Sequence, residues 1–116
     1  MDILQKLPEF PKAHFVAESM GEYIKIEVVT AGYTIDDIKI ESRENGIAVV
    51  GSPKKNIGSG RLVTGFTNFF PITNFKKFDR KSITASIYNG ILTIQLPVLE
   101  EFRSVEITIA EEAPKA

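Results

Sequence analysis

The Asn-Gly pair at positions 89 and 90 constrains the fold of this chain more than any other feature of its sequence. Both residues tolerate the positive φ angles that a type I′ turn demands at its two corners. The flanking Ile87, Leu92, Ile94 and Leu96 alternate with polar neighbours, so residues 85–97, ASIYNGILTIQLP, are predicted to form two antiparallel strands with one face turned to a core. A second Asn-Gly pair, Asn45-Gly46, separates IKIES from IAVVG and repeats the signal. Between Glu22 and Thr30, Ile24, Ile26 and Val28 fall on one side of an extended chain, with Lys25 and Glu27 on the other. Ala31 and Gly32 break that strand, and Asp36 with Asp37 reads as a turn and the start of the next.

The remaining segments follow the same logic. SPKKNIGSG, residues 52–60, is turn chemistry throughout, and RLVTGFTNFF after it is rich in β-branched and aromatic residues. Pro71 cannot donate to a sheet ladder, so this strand should end or bulge there and lie near an edge. Residues 73–82 read as an exposed connection. No stretch of ten residues carries a helical period, and the chain is therefore expected to be all-β, an immunoglobulin-like β-sandwich of two antiparallel sheets. Its predicted divisions are an arm over residues 1–13, a sandwich over 14–98 and an extension over 99–116. The extension carries alternating Val105, Ile107 and Ile109, which suit either a last strand of the same sandwich or a segment that docks elsewhere.

Composition narrows the chemistry. The chain of 116 residues has 14 basic and 15 acidic residues and a net charge of -1, so no bulk field draws it to nucleic acid or to an anionic membrane. It has no cysteine and one histidine, His14, too few ligands for a structural zinc site; no metal and no cofactor are expected. No apolar run approaches the ~18 residues of a membrane span, and a cytoplasmic location is expected. No serine lies in a nucleophile motif and SPKKNIGSG is no phosphate loop, so no enzyme is predicted. The cluster Lys76, Lys77, Arg80 and Lys81, interleaved with Phe75 and Phe78, is the best opening for nucleic acid. Asp79 within it and the negative net charge favour a solvated connection anchored by its phenylalanines.

Ala85, Asn89, Gly90, Ile91 and Leu92, followed by Ile107-Thr108-Ile109, resemble the hairpin and I-x-I tail of the small heat-shock proteins, whose core is the alpha-crystallin domain. AGYTIDDIKIE and NGIAVVG resemble further strands of that domain, although Ala31 stands where the family usually has proline. The resemblance implies a chaperone that holds partly unfolded proteins without ATP. It also implies a groove between the strand bearing Ile38 and Ile40 and the strand bearing Ile83 and Ala85, occupied by Ile107 and Ile109 of a tail. Two buried isoleucines supply about 3–6 kcal/mol, while ordering the tail costs about 1 kcal/mol per residue. A single tail is thus expected to bind weakly and several to add avidity.

Members with a strand-swapping loop carry a longer insertion than the nine residues between Gly51 and Arg61, so a swapped strand is not expected. The arm is shorter than in members that build large shells, which points to a dimer or a small multiple of dimers. A co-chaperone of the p23 type and a structural or adaptor module share the sandwich and stand as alternatives.

Overall fold

The computed structural model describes residues 7, 10–53, 65–103 and 107–110. Most of the expected arm, the loop and strand start over 54–64, Val105 and the last six residues lie outside the described residues. Among the described residues seven strands form: β1 (Phe15–Ser19), β2 (Tyr23–Val29), β3 (Ile38–Arg43), β4 (Gly46–Gly51), β5 (Phe66–Pro71), β6 (Thr84–Tyr88) and β7 (Ile91–Pro97). They build two antiparallel sheets, ordered β1-β2-β7-β6 and β3-β4-β5. The fold is the β-sandwich of the alternating pattern. Short 3₁₀ turns occur at Ile35–Asp37, Phe75–Lys77, Arg80–Ser82 and Glu100–Phe102. Among the described residues no helix is long and apolar enough to cross a membrane.

The core follows from period two. Ile26 pairs with Ile94 and Val28 with Leu92 across β2 and β7, and these side chains, with Leu96, meet Ile47, Val49, Phe66 and Phe70 of the second sheet. Burying each such side chain contributes about 1.5–3 kcal/mol, so this double row is the main source of stability. Pro71 closes β5, which lies at the edge of its sheet, where a missing N–H costs no ladder bond. Residues 107–110 form no strand and add none to either sheet.

The two Asn-Gly pairs behave differently. Asn89 and Gly90 take φ of 50° and 77°, both positive, and close the β6–β7 hairpin as a type I′ turn. At the other hairpin Arg43 pairs with Gly46, so the corners are Glu44 and Asn45, and neither lies in the left-handed region. Gly46 is glycine for another reason: a Cβ there would sit 2.3 Å from the Phe70 carbonyl oxygen and 2.7 Å from Cζ of Phe69. The sequence signal marks a hairpin, but its glycine serves the approach of β5.

One buried polar side chain ties the N-terminal segment down. Asn68 on β5 is 1% exposed; its Oδ1 accepts from the Ala13 N–H at 2.9 Å and its Nδ2 donates to the Ala13 carbonyl at 3.0 Å. Thr67 N–H donates to the Pro11 carbonyl at 2.9 Å, so residues 11–13 run along the free edge of β5 before the chain crosses to β1.

Two outcomes follow. Asn68→Ala should cost about 1–3 kcal/mol, because it strips both Ala13 backbone groups of their partner. The melting temperature should fall by at least about 4 °C, with faster proteolysis near Lys12; an unchanged melt would mean the segment is not pinned there. Gly46→Ala should cost about 1–3 kcal/mol through overpacking, whereas Asn45→Ala should stay within about 0.5 kcal/mol. A large loss for Asn45→Ala in chemical denaturation would restore the type I′ turn at that hairpin.

Candidate functional site

The two sheets close over one core but leave their long edges apart, and on one side β3 faces β6. Side chains that alternate inward on each strand line the gap: Ile38 and Ile40 from β3, Ala85 and Ile87 from β6, with Leu92 of β7 at its floor. Ile35, from the 3₁₀ turn that leads into β3, forms one lip. The result is an open apolar groove of about 140 Å³. Three of the four residues expected in it, Ile38, Ile40 and Ala85, line it together. Ile83 does not; it lies just before β6 and packs half-buried against the core.

Ile35, Ile87 and Leu92 join the lining although none of them was expected in the groove. Ile87 was legible, because it lies two residues beyond Ala85 on the same face and pairs with Leu92 in register. Ile35 was not, since its place depends on the turn in which the Thr34 N–H donates to Oδ2 of Asp37 at 3.0 Å. That bond also accounts for Asp37 as a turn former.

Arg80, in the 3₁₀ turn before β6, reaches across to the end of β3. Its Nε donates to Oγ of Ser42 and its Nη2 to the Arg43 carbonyl, each at 3.1 Å, while the guanidinium lies 4.6 Å from the centre of the Phe75 ring. This disposes of the basic cluster as a platform for bases. Phe75 is 5% exposed within the core, Phe78 is half-buried beside it, and Arg80 is engaged with neutral partners. Lys76, Lys77 and Lys81 remain as exposed cations on the connection.

The tail isoleucines stand apart from the groove. Ile107 is 84% and Ile109 92% exposed, on a segment that follows the 3₁₀ turn at Glu100–Phe102, where Arg103 Nε donates to the Val98 carbonyl at 3.2 Å. Behind the groove wall, Tyr33 meets Phe66 edge to face with ring centres 5.0 Å apart. Burial, and secondarily the Asp37 carboxylate, push its phenol up from the ordinary tyrosine range, so it stays protonated at neutral pH. His14 sits at the entry to β1, its carbonyl accepting from the Val29 N–H at 2.8 Å. Among the described residues no three histidine, aspartate or glutamate side chains gather as a metal site would require.

Comparison with solved structures finds the same sandwich repeatedly. HSP18.5 from E. histolytica superposes with a TM-score of 0.66 at 17% identity, covering 84% of this chain and 98% of its own. Heat shock protein 16.0 from Schizosaccharomyces pombe gives 0.64 at 19% identity, over 86% and 98%. A small heat-shock protein from Xylella fastidiosa gives 0.64 at 17% identity, over 89% and 96%. A search of curated protein sequences finds no match. At such identities the structures speak for the fold, and the lineage rests on the sequence model of the Hsp20/alpha crystallin family, which matches residues 16–110. That match takes in all of β2 to β7, β1 from Val16 and the Ile107-Thr108-Ile109 tail, and the chain belongs to the Hsp20/alpha crystallin family.

Proposed function

We propose that this chain is a chaperone of the holdase type, which binds partly unfolded proteins without ATP and limits their aggregation. It assembles by laying the Ile107–Ile109 tail into the groove of a neighbouring subunit. The observation that carries the reading is the coexistence of an open apolar groove, walled by Ile38, Ile40, Ala85 and Ile87, with a tail whose two isoleucines have no shelter in their own chain. An extended segment can bury alternate side chains in such a gap while its backbone runs beside a strand edge. Each contact is small, so a tail can leave and expose the groove to a client, and several tails together hold the assembly. The work is done by surface, with no bond made or broken.

A client protein heated with a molar excess of this chain should scatter much less light, equally with and without nucleotide. Undiminished scattering would favour an adaptor role on the same sandwich. Removal of the tail side chains separates assembly from folding. Because both isoleucines are exposed within a single chain, Ile107→Ala with Ile109→Ala should leave the cooperative melt nearly unchanged while the native mass falls. A folded double variant of unchanged mass would reject assembly through the tail.

A further inference from the structure

We infer that the outer edge of β1 is where a second copy of this chain pairs, two β1 strands running antiparallel about a two-fold axis at Ala17. This rests on the self-association proposed above and gives it a surface. Of the four sheet edges among the described residues, that of β5 is occupied by residues 11–13, with the Thr67 N–H on the Pro11 carbonyl. Those of β3 and β6 face each other across the groove. β1 is left: all five of its residues are exposed, and it carries neither proline nor lysine to guard it.

Hydrogen-bond parity identifies the groups on offer. The His14 carbonyl accepts from the Val29 N–H and the Met20 N–H donates to the Tyr23 carbonyl, so even-numbered residues bond to β2. Phe15, Ala17 and Ser19 therefore direct their N–H and C=O groups away from β2. Antiparallel pairing about Ala17 sets Phe15 opposite Ser19 of the second copy and Ala17 opposite its own equivalent. Every outward group of the three residues gains a partner.

The side chains of this strand are self-complementary under the same two-fold axis. Phe15 is half-exposed, resting edge-on against Phe70 with ring centres 4.9 Å apart. Toward the other end of β1, Ala17 and Ser19 border an apolar depression of about 310 Å³, which reaches down to Ile24, Ile26 and Phe70. The axis brings the projecting ring of each copy to the depressed end of the other. Ala17 at the centre lets the two backbones approach. On the opposite face Glu18 meets Val16 of the second copy, so no like charges are apposed, and Glu18 keeps Lys25 beside it on β2.

The natural chain has no cysteine, so Ala17→Cys supplies a single thiol. Paired residues of this type lie about 5.5 Å apart between Cα atoms, inside the disulfide range. Mild oxidation at micromolar concentration should convert most of Ala17→Cys to a covalent dimer and less than about a tenth of Glu18→Cys, which faces Val16 of the partner. Ala17→Pro removes an N–H that points away from β2, so the β1–β2 ladder survives. Sedimentation should show at least a ten-fold weaker dimer with a cooperative melt retained. Equal cross-linking at both cysteines overturns the pairing, as does a folded Ala17→Pro variant that dimerises like wild type; self-association itself then stands on another surface. A wild-type chain that is monomeric throughout defeats both. Should Ala17→Pro fail to fold, the two cysteine variants decide alone.

Discussion

The side-by-side pairing of β2 and β7 is the contact on which the rest of this protein depends. It aligns Ile26 with Ile94 and Val28 with Leu92, making one apolar sheet face wide enough for Ile47, Val49, Phe66 and Phe70 to close over. Each outer strand of that sheet then has something to lean on: β1 hangs from β2 and β6 from β7. Since the apolar rows lie in the middle strands, the outer strands bury little, and the sandwich stays open along its sides. The groove and the depression under β1 are both consequences of that distribution.

Open sides are a hazard in most β proteins. A free strand edge with apolar side chains beside it invites pairing with another chain. This molecule treats its edges differently. One is covered internally by residues held on Asn68, and another is met by Arg80, whose bonds to Ser42 and Arg43 tie the 3₁₀ turn before β6 to the end of β3. Such exposed bonds to neutral acceptors are worth about 0.5–1.5 kcal/mol each. They tie the connection before β6 to β3 and leave the groove lined by Ile38, Ile40, Ala85 and Ile87 open. One stable core thus coexists with an open apolar groove along its side.

The strand pattern was legible because period two leaves a clear trace wherever one face is buried: β2, β3 and β7 start and stop within a residue or so of where alternation and turn residues place them. Asn89-Gly90 was legible for the same kind of local reason, since few other pairs tolerate two positive φ angles. Asn45-Gly46 misled as to mechanism, because the demand on Gly46 comes from Phe69 and Phe70, more than twenty residues away. Phe75 anchors its connection in the core as its aromatic character suggests, but Arg80 misled as to surface: read along the chain it sits among lysines, yet the fold stacks its guanidinium on the Phe75 ring.

The sequence by itself determined the class of fold, the faces that β2 and β7 bury, the hairpin at residues 89–90 and the family signature in Ala85, Asn89, Gly90, Leu92, Ile107 and Ile109, because each rests on neighbours within a few residues. Tertiary structure decided what no local pattern encodes. It placed Ile87 and Ile35 in the groove and left Ile83 against the core. It gave Asn68 its two partners on Ala13, and it left β1 as an open edge. Those outcomes depend on which sheet edges come to lie opposite one another, and that is settled when the two apolar faces close on a single core.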